Sequence, residues 1–320
     1  MCSLNIQGLK KYIRNETVLA FCSQYDIVGL SETWQTTKDE FNDFLTDSYI
    51  KYDCPRPSRN SRGSGGVSVF IKSSLHSTGL IKRIYSEFKD CVVLFIDKQL
   101  TGFATNIILF YVYVAPENSV MYDGQPLNGI EILSEQLRCI LSDLQGISFI
   151  VAGDLNSRVG DMLDFIPDDN IDHVFNSDVQ YPGDQFNRPR RNCDTHSNRF
   201  GKSLIDMCCE FNMHICNGRS SRDYEGNCTC TANGGKSVVD YFLASTCVFD
   251  FISDFGVEDF DMSDHFPLTC CLKMLNAYKC DFMLNESELN LQQHLPFKWK
   301  EPYKRQFLDS FVPAFRSMTD

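Results

Sequence analysis

The sequence lacks any long hydrophobic run. No apolar stretch in its 320 residues approaches the roughly 18 residues that a membrane-spanning helix needs. The first residues, Met1 to Asn5, contain neither a basic segment nor an apolar segment, so no secretory signal is predicted. We therefore expect an intracellular protein, nuclear or cytoplasmic, that is neither secreted nor associated with a membrane.

Positive charge is also scarce. The 30 lysine and arginine residues are outnumbered by 42 aspartate and glutamate residues, which gives a net charge of −12. Proteins that hold nucleic acids by their phosphate groups usually carry basic stripes. Nucleic acid is not excluded, because acidic residues can be concentrated in a metal site while basic residues form a local patch. Any affinity for DNA is then expected to be modest and strongly dependent on salt.

Disulfide bonds are not indicated, although the chain has 15 cysteines. An odd number of cysteines cannot all pair. Several of them lie within apolar strings, which is typical of buried, reduced thiols and of a reducing compartment. Cys228 and Cys230 lie two positions apart, but no second pair has the spacing of a structural zinc site.

Short apolar strands alternate with helical segments along most of the chain. The patterns predict strands at 26–30, 67–71, 91–96, 104–114, 148–152, 214–216, 238–243 and 266–272, and helices at 17–25, 129–145 and 199–212. Several successive strands have no helix between them, which favours mixed sheets over a doubly wound parallel sheet. The composition changes near residue 276. We therefore expect one domain over 1–275, followed by a linker and the start of a downstream region over 276–320.

A long polar stretch occupies residues 157–198, and long loops within a compact domain usually carry function. Arg188, Arg190 and Arg191 form a basic cluster in this stretch. Two interpretations stay open, a solvated surface loop and a loop that contacts phosphate groups.

Polar side chains recur where the predicted strands end. Asp154 and Asn156 follow one strand and are two residues apart, so in an extended chain they face the same side. Asp240 lies within an apolar string, where an unpaired carboxylate would be costly, and His265 is a suitable partner. Such a pair holds one imidazole tautomer and stabilises the charged ring. Glu32 follows another buried strand and is suited to bind a hard cation.

Six motifs in a fixed order carry a family resemblance. They are Leu4–Leu9, Leu30–Trp34, Tyr113–Glu117, Gly153–Arg158, Val239–Leu243 and Ser263–Leu268. In this order the chain resembles the endonuclease/exonuclease/phosphatase superfamily, whose fold is that of pancreatic deoxyribonuclease. The resemblance spans residues 4–272. It implies a four-layer α/β sandwich in which two mixed, mainly antiparallel sheets pack face to face with helices outside.

Within the superfamily, the chain is most similar to the apurinic-type endonuclease domain of non-LTR (LINE-like) retrotransposons. The segments that carry this similarity are Asn198–Gly201, Asn217–Arg219, Asp223–Gly226 and Thr229. In such elements a reverse transcriptase follows the endonuclease in one polyprotein. No Tyr/Phe-Ala-Asp-Asp motif is present, so the reverse transcriptase region expected in the parent polyprotein is absent from this chain.

The resemblance implies a metal-dependent DNA endonuclease that leaves a 3′-hydroxyl and a 5′-phosphate. Glu32 would bind Mg²⁺ or Mn²⁺, with Asn5 close to the ion and Asp264 supporting its water shell. DNA is the expected partner. The predicted DNA contacts are Arg188, Arg190, Arg191, Asn217, Arg219 and Thr229.

The resemblance also implies a set of catalytic roles. Asp154 would orient and deprotonate the attacking water, and Asn156 would donate to that water or to the developing oxyanion. His265, held by Asp240, would hydrogen-bond a phosphate oxygen, and Tyr113 would donate its phenol to the same phosphate. Whether Asp154 or His265 is the general base stays open.

Two alternatives remain at this point. The first keeps the fold and changes the substrate, as in an apurinic-site repair nuclease, a deadenylase, an inositol-phosphate phosphatase or a sphingomyelinase. The second is a non-catalytic binding module derived from a decayed retroelement. The retained Glu32, Asp154, Asn156, Asp240 and His265 argue against the second, because a binding module has no physical need of them.

Overall fold

A computed structural model describes residues 1–275 apart from 39, 46–47, 58–62, 85, 87, 145, 168–187 and 233. The predicted linker at 276–320 and part of the polar stretch at 157–198 lie outside the described residues. Within them, twelve strands form two six-stranded sheets. None of the helices described is long and apolar enough to cross a membrane.

The strands, in chain order, are β1 (Cys2–Asn5), β2 (Ile27–Ser31), β3 (Tyr49–Cys54), β4 (Val67–Lys72), β5 (Ile81–Ile84), β6 (Cys91–Ile96), β7 (Asn106–Tyr113), β8 (Ile147–Asp154), β9 (Met213–Ile215), β10 (Asp240–Ser245), β11 (Ile252–Val257) and β12 (Leu268–Leu272). The helices are α1 (Glu16–Cys22), α2 (Ser73–His76), α3 (Lys98–Thr101), α4 (Gly129–Asp143), α5 (Arg199–Phe211) and α6 (Thr246–Phe249). Short 3₁₀ turns lie at Leu9–Tyr12, Val120–Tyr122 and Ser221–Asp223.

Both sheets are mixed and mainly antiparallel. The first has the order β11-β12-β1-β2-β4-β3, and only β1 and β2 run parallel. The second has the order β5-β6-β7-β8-β10-β9, and only β7 and β8 run parallel. The predicted sheet arrangement is confirmed.

Apolar side chains join the two sheets face to face. Val69 and Ile71 of β4 share one buried cluster with Leu94 of β6 and Leu109 of β7. A side chain at Gly29 would place its Cβ 1.9 Å from the ring of Tyr111. A glycine in β2 therefore lets the aromatic ring of the opposite sheet approach the backbone.

Helices cover the outer faces, which completes the four predicted layers. Val18 of α1 packs with Leu4 and Leu30 on the outside of the first sheet. Helices α4 and α5 cover the second sheet with apolar residues at helical spacing. The helix α4 begins with a capping box, in which Asn128 and Glu131 each accept a backbone N–H of the other.

Candidate active site

Strand ends from both sheets meet along one edge of the sandwich. The parallel register of β1 and β2 places Asn5 opposite Ser31, and Glu32 follows directly. In the second sheet, the parallel register of β7 and β8 places Tyr113 opposite Asp154. Asn5 then connects the two sheets, because its Nδ2 donates to Asp154 Oδ2 at 2.9 Å. Side chains that are distant in sequence therefore converge on one site.

The segment that leads into β12 places a histidine at this edge. Ser263 Oγ donates to the carbonyl of Asn5 at 2.8 Å and accepts from the backbone N–H of His265 at 3.2 Å. The ring Nδ1 of His265 lies 2.9 Å from Asp240 Oδ2. Burial disfavours the imidazolium, but the charge of Asp240 and its hydrogen bond outweigh burial and raise the pKa of His265 well above its ordinary value. This raised pKa favours a charged ring that donates hydrogen bonds, and Nε2 of His265 lies 3.5 Å from Cys230 Sγ.

Asp154 is buried beside this pair. Its register partner in β10 is Asp240, so two carboxylates face the same buried region. Burial and the charge of Asp240 raise the pKa of Asp154 above its usual range, although His265 and hydrogen bonds from the site's amides oppose the shift. Asp154, Asp240 and His265 each offer a ligand-type atom within 4.8 Å of the others. A carboxylate with a raised pKa is a better proton acceptor than an exposed one.

Asn156 positions Asp154 rather than facing an open site. Its backbone N–H donates to Asp154 Oδ1 at 2.9 Å. Its Nδ2 donates to Asp154 Oδ2 at 3.2 Å and to the carbonyl of Val114 at 2.9 Å. Both amide hydrogens are used in this way, and donation by Asn156 to the attacking water or to the oxyanion stays a prediction.

Glu32 is held by two aromatic donors. Trp34 Nε1 donates to Glu32 Oε2 at 3.1 Å, and the hydroxyl of Tyr113 donates to Glu32 Oε1. Burial and the neighbouring charge of Glu32 raise the pKa of Tyr113, so the phenol keeps its proton. The backbone of Glu32 has a φ of +50°, a left-handed conformation that is uncommon for residues other than glycine.

A partly buried ion pair beside Tyr113 was not foreseen from the sequence. Arg56 Nε donates to Asp90 Oδ2 at 2.7 Å, and its guanidinium lies 5.3 Å from the centre of the Tyr113 ring. Burial raises the pKa of Asp90, and Arg56 partly offsets that shift. No spacing in the sequence indicates this pair, because Arg56 follows β3, Asp90 precedes β6, and the two residues are 34 positions apart.

The predicted metal ligands have the chemistry that a hard cation requires. Glu32 and Asp264 supply carboxylate oxygens, and Asn5 supplies an amide oxygen, which are preferred ligands of Mg²⁺ and Mn²⁺. Asp264 Oδ1 is buried and has no hydrogen-bond partner among the described residues. A buried carboxylate oxygen without a partner is costly unless a cation or water satisfies it. The residue types of this predicted donor set therefore suit a divalent cation.

Four of the predicted DNA contacts are engaged inside the protein. Arg219 forms an ion pair with Asp164 at 2.6 Å, with side-chain exposures of 3% and 0%. Arg190 donates to the carbonyls of Gly160 and Met162. The guanidinium groups of these two arginines therefore bind groups of the protein itself within the polar stretch.

The other two engaged residues support β10. Thr229 is fully buried, and its Oγ1 accepts the backbone N–H groups of Val239 and Asp240, each at 3.0 Å. Asn217 is also buried, and its Nδ2 donates to the carbonyl of Asp240 at 3.1 Å. Both residues therefore fix the strand that carries Asp240.

Arg188 and Arg191 are the accessible members of the predicted set. Their side chains are 49% and 51% exposed and pair with Asp250 and Glu225 respectively. Arg191 also lies 4.0 Å from the centre of the ring of Tyr224, which is itself exposed.

Solved structures of nucleases share this fold. An AP endonuclease from Leishmania major is 17% identical with a TM-score of 0.58, over 86% of this chain and 87% of that one. The catalytic domain of APE2 from Xenopus laevis is 18% identical with a TM-score of 0.57, over 85% and 91%. The endonuclease domain of TRAS1, a telomere-specific non-LTR retrotransposon, is 15% identical with a TM-score of 0.52, over 85% and 97%.

Among curated proteins, no sequence matches the chain significantly. The model of the endonuclease/exonuclease/phosphatase family matches residues 2–265, which is most of the chain and includes the whole polar edge described above. The chain belongs to the endonuclease/exonuclease/phosphatase family.

Proposed function

We propose that this protein is a metal-dependent DNA endonuclease that hydrolyses a phosphodiester to a 3′-hydroxyl and a 5′-phosphate. The observation that carries the proposal is the buried group of Asp154, Asp240 and His265, whose ligand-type atoms lie within 4.8 Å of one another at the edge where both sheets end. A carboxylate beside a charged imidazole provides, in one place, a proton acceptor and a hydrogen-bond donor for a phosphate oxygen.

The charged state of His265 favours Asp154 as the general base. An imidazolium has no free lone pair, so His265 donates, and its Nε2 is directed to the weak sulfur acceptor of Cys230. A phosphate oxygen is a stronger acceptor than a thiol sulfur and would replace it. Asp154 retains a raised pKa and accepts the proton of the attacking water.

The surrounding residues hold these two groups in place. Asn5 and Asn156 fix the carboxylate of Asp154, and Asp240 fixes the ring of His265. Glu32, Asn5 and Asp264 would hold Mg²⁺ or Mn²⁺, which when bound neutralises charge on the scissile phosphate and on the departing 3′ oxygen. We assign Tyr113 to the same phosphate as a neutral donor, since its phenol remains protonated.

DNA is the proposed substrate, with Arg188 and Arg191 as the accessible basic contacts. The similarity to the retrotransposon endonuclease domain and the sequence motifs support a role in target-site nicking. In such a role, a reverse transcriptase elsewhere in the parent polyprotein would extend the new 3′-hydroxyl. We further propose a nuclear or cytoplasmic location, which the free cysteines of the described residues support.

A plasmid-nicking assay tests the proposal. Supercoiled plasmid should relax to the open circle with Mg²⁺ or Mn²⁺, should remain supercoiled with a chelator, and should respond strongly to salt. DNA polymerase should extend the nick directly, which identifies a 3′-hydroxyl. His265→Gln should lower the rate about 10²–10³-fold, as loss of a transition-state donor does.

His76→Ala is the matched control. Ser31, the neighbour of Glu32, pairs with the first residue of β4, whereas His76 follows the last residue of that strand and lies at the other end of it. The ring of His76 contacts the hydroxyl of Tyr52. The nicking rate of the His76→Ala variant should equal that of the unmodified protein.

Two further kinds of substrate, oligonucleotides with an abasic site and small phosphate esters, test the alternative functions. Cleavage confined to abasic sites would indicate a repair nuclease, and hydrolysis of small esters alone would indicate a phosphatase. A folded protein inactive on every substrate would be a non-catalytic module.

A further inference from the structure

Two thiols that the catalytic assignment does not use meet beside the active site. Cys193 Sγ and Cys228 Sγ lie 2.7 Å apart, although the residues are 35 positions apart in the chain. A disulfide bond is about 2.05 Å long, so bond formation needs an approach of only about 0.7 Å. The fold has therefore brought these two sulfur atoms almost to bonding distance.

Backbone contacts fix the segments that carry the two thiols. The N–H of Cys193 donates to the carbonyl of Gly226, and the N–H of Arg191 donates to the carbonyl of Gly218, each at 3.0 Å. Gly226 has a φ of +68°, and a Cβ at this position would lie 2.2 Å from the carbonyl oxygen of Arg191. Glycine is therefore needed for the close approach that presents Cys193 to Cys228.

Small reagents can reach the pair. Cys193 is exposed and Cys228 is partly exposed, and both line an open cavity of about 530 Å³. Phe266, the neighbour of His265, lines the same cavity. The thiols therefore differ from the buried cysteines of the core, such as Cys208 and Cys216, which no reagent reaches without unfolding.

We propose that Cys193 and Cys228 form a reversible disulfide in response to a small-molecule disulfide such as oxidised glutathione. The thiolate of Cys228 attacks the reagent and releases one glutathione thiolate. Cys193 then loses its proton, attacks the Cys228 sulfur of the mixed disulfide and releases the second glutathione thiolate. In total, the two protein thiols lose two electrons and two protons, and one oxidised glutathione becomes two reduced molecules.

The disulfide bond would fix the relative position of two segments beside the active site. It joins the segment around Cys193 to the residue next to Thr229, which holds the backbone N–H of Asp240. In a reducing compartment the pair stays open, and under oxidising conditions it closes a loop of 35 positions. Closing such a loop restricts the unfolded chain and stabilises the fold, so the oxidised protein should melt about 5–10 °C higher.

Peptide mapping after incubation in glutathione redox buffers tests the bond directly. A non-reducing tryptic digest of the oxidised protein should contain the peptide 192–199 linked to the peptide 223–236, with a mass two hydrogens below their sum. Excess reduced glutathione should abolish the linked species. Because Cys230 lies in the second peptide, Cys230→Ser should keep the link, and Cys228→Ser should remove it.

Thermal melting provides the second measurement. The increase in Tm on oxidation should disappear in Cys193→Ser and persist in Cys139→Ser, which replaces an exposed cysteine elsewhere. Separate glutathione adducts without a link, a link to Cys230, or no reaction at either thiol would overturn the proposal. Fragmentation of the linked peptides from the unmodified protein distinguishes Cys228 from Cys230, so a variant that misfolds does not obscure the mapping result. Neither readout uses nicking, so failure of the proposed function would leave this test unaffected.

Discussion

Replacing Thr229 with valine should separate a positioning role from a DNA contact at this residue. Valine matches threonine in shape but lacks the hydroxyl that accepts the N–H groups of Val239 and Asp240. Thr229 is fully buried, so water cannot take over as the acceptor. The substitution leaves two buried donors without a partner.

The size of the effect follows from these two contacts. An unsatisfied buried donor costs about 1–3 kcal/mol. Because one oxygen serves both donors, we expect Thr229→Val to lower the free energy of unfolding by about 2–4 kcal/mol. Thr229→Ser keeps the oxygen and loses one methyl group, so it should cost about 1 kcal/mol.

Urea unfolding of both variants measures the difference, provided that the m-value is unchanged. In the nicking assay, loss of the contact to Asp240 should lower kcat of the valine variant and leave KM nearly unchanged. A residue that touches DNA would instead raise KM. Equal stability of the valine and serine variants, or a loss below about 1 kcal/mol for valine, would refute the reasoning.

Three further predictions concern the ion pair of Asp164 and Arg219, the position in β8 that precedes Asp154, and the predicted metal ligand Asp264. Asp164→Asn removes the carboxylate that is ion-paired with the buried guanidinium of Arg219 and should cost about 3–5 kcal/mol in denaturant unfolding. Burial favours a higher pKa for Asp164, but Arg219 outweighs it and lowers the pKa. The stabilisation is therefore complete above the unfolded carboxyl pKa of about 3.9 and is lost as the pH falls through the lower folded value. A difference between the two proteins that stayed constant down to pH 2 would contradict this account. Gly153→Ala should destabilise the fold by more than about 3 kcal/mol, because its Cβ would lie 1.9 Å from the carbonyl oxygen of Val112. Urea unfolding measures this loss, and the control Gly79→Ala, where a Cβ meets open space at a φ of +72°, should cost only about 1–2 kcal/mol. Asp264→Asn should raise the Mg²⁺ concentration for half-maximal nicking about 10-fold or more, and an unchanged metal requirement would remove Asp264 from the ligand set.

Apolar sequence patterns predict exposed edge strands poorly. The central strands β2, β4, β6, β7, β8 and β10 are buried along nearly their whole length, and their apolar runs made them predictable. The edge strands β3, β5 and β11 were not predicted, and neither was the short central strand β1, whereas the fourth edge strand, β9, was predicted because it is buried. Each of β3, β5 and β11 is partly exposed and carries polar residues, as in Ile81–Ile84 with its central lysine and arginine. An edge strand buries one side of its ladder only, so its sequence need not be apolar.

The sequence by itself determined the family, the sheet arrangement and the pairing of Asp240 with His265. A buried carboxylate must find a partner, and that requirement is visible in an apolar string. The ordered motifs identified which strand ends carry chemistry.

Only the tertiary structure decided how each polar group is used. It placed Arg219 in a buried ion pair, directed the hydroxyl of Thr229 to the β10 backbone and turned both amide hydrogens of Asn156 inward. It also brought Cys193 to Cys228. Hydrogen-bond partners and burial depend on the packing of segments that are distant in the chain, and residue type or spacing does not specify them.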